Sequence, residues 1–130
     1  MTNQKNIKKC PQAVIDLITN SEFFGRMNDP SSAACLKGPC GDDMEFYLII
    51  ESEKIADIKY YTEGCNATKS CGAMTAFLAQ GKTIEEALKI SAGEVMASIT
   101  DLPKDHRHCS ILAVSTFYRA IADYLLTRNM

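Results

Sequence analysis

The sequence predicts a small mixed domain in which a β-hairpin lays its apolar face on helices. Three observations carry this reading. Two runs, Glu45 to Glu51 (E-F-Y-L-I-I-E) and Ile55 to Thr62 (I-A-D-I-K-Y-Y-T), are rich in β-branched and aromatic residues, and the polar turn Ser52-Glu53-Lys54 joins them. Helical apolar patterns occupy most of the chain that follows. The length, 130 residues, is enough for one domain with a real hydrophobic core and too short for two, so residues 1–130 are read as a single domain. A hairpin is marginal by itself, which is why the helices must cover it.

In chain order, Met1 to Pro11 is polar and cationic and is expected to be a flexible segment. No apolar stretch of signal-peptide type follows it, and Cys10 within it is read as silent. Gln12 to Thr19 reads as a short amphipathic helix carrying Val14, Ile15, Leu17 and Ile18, interrupted at Asn20-Ser21. Phe23 to Met27 is an aromatic knot expected to pack under the domain, before a break at Asn28-Asp29-Pro30. Ser31 to Leu36 reads as a short edge strand. Its Cys35 lies five residues before Cys40, which is not a C-x-x-C pair.

After the hairpin, Ala67 to Ala79 reads as a helix with Asn66 as N-cap and with Cys71, Met74, Phe77 and Leu78 along one side. Gly81 closes it. Thr83 then caps a second helix with an acidic first turn, Glu85-Glu86, and Ser91 caps a third, with Glu94 three residues on. Asp101-Leu102-Pro103 punctuates. A long helix runs from about Cys109 to Leu126, burying Val114, Phe117, Tyr118, Ile121 and Leu125. Gly81-Lys82-Thr83 mimics the end of a phosphate-binding loop, but it lacks the upstream glycine and lies between helices, so it is set aside.

Composition narrows the function classes. Hydrophobic residues make up 46% and charged residues 23%, an ordinary globular balance. The formal net charge is −2 and no Lys/Arg block stands out, so no nucleic-acid partner is expected. The longest unbroken apolar runs fall far short of a bilayer's width, so no membrane is expected either. The cytoplasm remains, where thiols stay reduced. Six cysteines there point to metal binding or sulfur chemistry rather than to disulfides.

The stretch Lys37-Gly38-Pro39-Cys40-Gly41-Asp42-Asp43-Met44 carries the chemistry. Pro39 fixes one φ and Gly41 reaches angles closed to other residues, so the loop bends tightly and Cys40 and Asp42 can point the same way. A soft thiolate beside a hard carboxylate suits a borderline metal, or iron in a sulfur-rich site; an ordinary Gly/Pro turn leading into a strand is the bland alternative. Cys65 and Cys109 each fall at the mouth of a helix, where the macrodipole and free N–H groups favour thiolate. His108 adds an imidazole that can ligate metal or move a proton. Three thiolates with one carboxylate or imidazole complete a tetrahedral zinc site or supply the protein ligands of one 2Fe-2S cluster. The wide separation of these positions argues against a self-contained zinc finger. A zinc hydrolase or deaminase is disfavoured, since no H-x-E or paired P-C-x-x-C accompanies them. Asp42 in place of a fourth thiolate should make a cluster easier to lose, which suits a carrier that passes its cargo on.

G-P-C-G-D-D-M, T-E-G-C, G-K-T-I-E-E-A, L-P-K-D-H-R-H-C-S-I-L-A and A-I-A-D-Y, in that order, closely resemble the IscU / NifU N-terminal family of iron–sulfur cluster assembly scaffolds. The resemblance runs from about Val14 to the C-terminus. It implies an α+β fold, a small antiparallel sheet of about three strands covered on one face by several helices, with a long C-terminal helix. It implies a scaffold without independent turnover. Such a scaffold accepts sulfur from a cysteine desulfurase, takes iron and electrons from donors, builds a transient 2Fe-2S cluster and passes it to acceptor apoproteins.

By motif, Cys40, Asp42, Cys65 and Cys109 match the cluster ligands, and His108 joins them as a metal ligand. Cys65, Cys109 and Cys40 are the candidate persulfide acceptors. Zinc can take the same ligands in cluster-free forms, and a zinc-binding sulfur relay that builds no cluster is the alternative function. A cluster with one exposed edge can be shared between subunits, so a homodimer is one expected form.

Four departures qualify the resemblance. The bacterial L-P-P-V-K chaperone tag is here Leu102-Pro103-Lys104-Asp105-His106, so that dedicated chaperone is not an expected partner. Cys71 replaces a serine-rich helix start and introduces a thiol that packs or serves as an extra sulfur acceptor. There is no room between Cys65 and Cys109 for the insertion of the zinc-dependent SufU branch. A stand-alone scaffold rather than a full NifU is expected.

Overall fold

The computed structural model describes residues 22–39, 41–99 and 107–128. The segment 1–11, Cys10, the helix expected over Gln12 to Thr19, Cys40 and the Leu102 to His106 stretch lie outside the described residues. Three strands, β1 (Ser32–Lys37), β2 (Asp43–Glu51) and β3 (Lys54–Tyr61), form an antiparallel sheet in the order β1-β2-β3. Four helices follow: α1 (Asn66–Ala79), α2 (Ile84–Ala87), α3 (Ala92–Ser98) and α4 (Arg107–Thr127). The edge strand and the hairpin thus stand where the residue pattern puts them.

Alternation decides which face of the sheet is covered. Met44, Phe46, Leu48 and Ile50 of β2 point to the core, and β1 pairs with β2 from Ser32↔Leu48 to Lys37↔Asp43. On β3 the buried residues are Ile55, Ile58 and Tyr60, a step of three and then two. The register explains this: Ile50 pairs with Ile55 and Ile49 with Asp57, leaving Ala56 as a bulge that returns Ile58 to the core face. The hairpin turn is tighter than the three polar residues suggest. Only Ser52 and Glu53 form it, with φ of 54° and 62°, the primed geometry that matches strand twist.

α1 and α4 lie on the apolar face of the sheet. Phe117 of α4 meets Phe46 with ring centroids 5.8 Å apart. α1 comes so close to β3 that a Cβ on Gly72 would sit 2.6 Å from the Tyr60 ring, so this position excludes a side chain. By length and composition α4 could cross a bilayer, although half of its apolar window is buried inside the domain; it is a core helix. The aromatic knot also packs: Phe23 is buried, and Phe24 bridges to Tyr60 beside β3.

Two sequence expectations are corrected along α1. Asn66 is the first helical residue, and Cys65 occupies the N-cap with extended backbone and no side-chain cap bond. Phe77 is 47% exposed, because burial on α1 falls on Cys71 through Ala76 and then Ala79. The short helices follow their caps. Thr83 and Glu86 form a complete capping box, and the Ser91 hydroxyl accepts from the Glu94 N–H.

Candidate metal–thiol site

The β1–β2 loop, the end of β3, the start of α1 and the start of α4 meet at one end of the sheet. The β1–β2 loop closes through Gly38 N–H to Asp42 O (2.7 Å) and Gly41 N–H to Gly38 O (3.0 Å), with Gly41 at φ 95°. This is the tight bend expected of Gly38 to Asp42. Cys40 itself lies outside the described residues.

On the opposite side of the site, Thr62 works as a clamp. Its buried hydroxyl donates to Asp43 O (2.5 Å) and accepts from Gly64 N–H (3.0 Å), which ties the segment before Cys65 to the start of β2. Gly64 is where space runs out. A Cβ there would lie 2.6 Å from Asp42 Oδ2, so the T-E-G-C segment approaches the carboxylate only because residue 64 has no side chain.

The centre of the site is Thr68, one turn into α1 and wholly buried. Its Oγ1 donates to Asp42 Oδ2 at 2.7 Å and lies 3.3 Å from Cys109 Sγ and 3.5 Å from Cys65 Sγ. Cys109 Sγ is in turn 3.8 Å from His108 Nε2. Asp42, Cys65, Cys109 and His108, taken from three separate parts of the chain, are therefore brought together. Cys35 is not among them: it is exposed on β1 opposite Glu45. Among the described residues, no three His, Cys, Asp or Glu side chains converge as they stand closely enough to hold an ion, since the Thr68 hydroxyl sits between the candidate donors.

Electrostatics separates the thiols. Cys65 is exposed, and its thiol is drawn below the ordinary value first by the Thr68 hydroxyl and then by the backbone N–H groups of Thr68 and Ala67 at the helix start, against the Asp42 charge. The hydroxyl has one proton to give, to Asp42 or to a Cys65 thiolate. The two backbone N–H groups are the stabilisation that both arrangements share. Cys71, fully buried two turns along α1, is pushed up to about 12 by burial, with the Cys109 and Cys65 charges adding to it. That favours its packing role over that of an extra sulfur acceptor.

Two concavities flank the site. A polar cleft of about 290 Å³ is lined by Arg26, Asp42, Glu45, Tyr61 and Glu63, among others. Arg26 binds Glu45 at 2.9 Å and lies 3.9 Å over the Tyr61 ring. An apolar groove of about 250 Å³ runs between Leu36, Pro39, His108 and Ile111.

Sequence reasoning missed Thr68, Thr62 and Arg26. Thr62 opens the T-E-G-C stretch and so lay inside a visible motif. Thr68 carries no signal in one sequence, because a threonine inside a helix reads as an ordinary surface or packing residue.

The structure is a small α+β domain that gathers two thiols near helix starts and a carboxylate on a glycine-bounded loop at one end of its sheet. Comparison with known proteins gives the family: residues 10–130 match the NifU-like N terminal domain, and the chain belongs to it. It is 40% identical over 112 residues to the iron-sulfur cluster assembly scaffold protein IscU 1 of Archaeoglobus fulgidus, covering 85% of this chain and 73% of that one. It is 29% identical over 121 residues to the scaffold protein IscU of Aquifex aeolicus, covering 91% and 77%. A crystal structure of a NifU-like N-terminal protein from Brucella abortus superposes with a TM-score of 0.69 at 15% identity, over 87% of this chain and 92% of that one, and shares the fold.

Proposed function

We propose that this protein is an iron–sulfur cluster assembly scaffold of the IscU type that holds its cargo on Cys65, Cys109, Asp42 and Cys40, with His108 adjoining. The observation that carries this reading is the gathering of Asp42, Cys65 and Cys109 within 3.5 Å of one buried hydroxyl at the open end of the sheet. The names of the relatives, as scaffolds, agree with it.

Exposure supports Cys65 over Cys109 as the sulfur acceptor. Cys65 is exposed and its thiol is lowered, whereas Cys109 is buried. A Cys65 thiolate attacks the outer sulfur of a desulfurase persulfide; the new S–S bond forms as the donor's S–S bond breaks, and the donor cysteine leaves as thiolate. Two electrons from an external donor then cleave the Cys65 persulfide to sulfide and thiolate. A second round of delivery and reduction gives a second sulfide, and two ferric ions, which enter as substrate, combine with the two sulfides to make a 2Fe-2S cluster that is passed to an acceptor apoprotein. The helix-start N–H groups hold the Cys65 charge through both sulfur steps. The protein turns over nothing by itself, and its chemistry needs a reducing compartment, the cytoplasm on composition.

Anaerobic reconstitution with iron, thiol reductant, cysteine and a desulfurase tests this. A visible chromophore with near-equal iron and sulfide, lost in Cys40→Ser, Cys65→Ser and Cys109→Ser, is expected. A colourless protein that binds zinc tightly would replace the scaffold with a sulfur relay. With the cluster loaded, Asp42→Ala should slow release to an acceptor; release at the wild-type rate or faster would sink the labile-ligand role of Asp42.

A further inference from the structure

We propose that Thr68 is a positioning residue for metal capture: its buried hydroxyl holds Asp42 by Oδ2 beside Cys65 and Cys109, leaving Oδ1 as the oxygen that meets the metal. This rests on the metal–thiol site proposed above.

The geometry has three parts. The hydroxyl donates to Asp42 Oδ2 at 2.7 Å across 26 residues of sequence and touches Cys109 Sγ at 3.3 Å across 41, so it joins the β1–β2 loop, α1 and α4 at one atom. Thr68 and Cys109 are buried while Asp42 is half-buried and Cys65 exposed, so the anchor is inside and Asp42 and Cys65 reach outward from it. A hydroxyl with its single proton committed to the carboxylate can accept from two thiols, so one small group satisfies all three donors while the site is empty. A metal needs those donors within about 2.0–2.3 Å of one centre. Ligating carboxylates are regularly held by a hydrogen bond at their second oxygen, and losing such a bond costs on the order of 10–100-fold in metal affinity.

Co²⁺ is the probe, added anaerobically to metal-free protein while thiolate-to-cobalt absorption is followed. Wild type should give that band. Thr68→Val, equal in shape and without the hydroxyl, should bind Co²⁺ about tenfold or more weakly, with a melting temperature close to wild type. Thr68→Ser should restore affinity. Asp42→Ala should weaken binding strongly in wild type and add little in the Thr68→Val background, because the carboxylate is then already unplaced.

Equal Co²⁺ affinity in wild type and Thr68→Val, or strictly additive losses, overturns the inference and leaves the metal site standing. A wild type without the thiolate band overturns both. If Thr68→Val does not fold, metal-free wild type decides by proton NMR. A slowly exchanging Thr68 hydroxyl that vanishes in Asp42→Ala supports the inference, and its absence overturns it.

Discussion

The two ends of the β2–β3 hairpin are held by different means. At the turn end, backbone groups do most of the tying. Ile84 N–H donates to Glu53 O, Ile55 N–H to Lys82 O and Gly81 N–H to Ile55 O, so the turn is sewn to the α1–α2 connection chiefly through backbone, with one side-chain bond, Gln80 Nε2 to Ala56 O, added. This offsets the two left-handed residues, Ser52 and Glu53, that form it. The exposed Arg128–Glu53 pair at 2.6 Å adds little, being open to water. At the other end backbone bonds still hold β3 to the Phe23–Gly25 segment and close the β1–β2 loop, but the links that join the candidate donors run through side chains. Thr62 joins β2 to the segment before Cys65, and Thr68 joins Asp42, Cys65 and Cys109. A backbone lattice tolerates substitution, whereas a side-chain lattice is only as good as two hydroxyls and a glycine. The end that carries the candidate donors is the one built to be sensitive.

The widest expected contrast lies within α1. Iodoacetamide should modify Cys65 readily, and from a pH below the ordinary thiol range, because the Thr68 hydroxyl, where its proton turns from Asp42 to the sulfur, and in either arrangement the helix-start N–H groups favour its thiolate. Cys71 should resist in the folded protein, being buried and raised to about 12. The sign for stability follows. The Cys71 thiol is fully compatible with the fold below the ordinary thiol value. As pH climbs from there towards about 12, the unfolded chain ionises Cys71 while the folded one does not, so stability falls. Mass spectrometry of labelled peptides across pH checks the first point and alkaline melting the second. Equal labelling of the two cysteines would erase the distinction between them.

Gly64→Ala should come next in size. Its Cβ would lie 2.6 Å from Asp42 Oδ2, so either the carboxylate or the Thr62–Gly64 link must move. We expect a loss of Co²⁺ affinity of about tenfold with little change in the turn end of the hairpin, read by hydrogen exchange at Ile55 and Ile84.

The smallest effect belongs to the turn end. Thr83→Ala removes one half of the capping box and should cost about 1 kcal/mol in urea unfolding, leaving metal affinity at the wild-type value. A metal effect from this substitution would mean that the two ends are coupled rather than separately held.

Residue pattern alone made the local structure legible. The strand-like β2 run, the Thr83 and Ser91 caps and the glycine bend before Asp42 each follow from a few neighbouring residues and stand in the structure, and of the polar turn Ser52 and Glu53 do, with Lys54 already in β3. The candidate donors Asp42, Cys65, His108 and Cys109 were legible too, since helix starts and Gly-bounded loops announce themselves. Local pattern failed where distant elements decide. Asn66 looked like the cap, yet the chain enters α1 at Cys65, tied by Thr62 to β2. Phe77 looked buried, yet α1 turns its Cys71–Ala76 stretch and Ala79 inward, with Gly72 against Tyr60.

By itself, then, the sequence determined which residues can bend, cap, pair and offer sulfur or oxygen, because those properties reside in single side chains and their near neighbours. Only the tertiary structure decided that Thr68 stands between Asp42 and two thiols, that Ala56 bulges and that Cys71 is sealed off. Each depends on contacts between segments that the burial of one shared apolar face brings together, 26 and 41 residues apart in the case of Thr68.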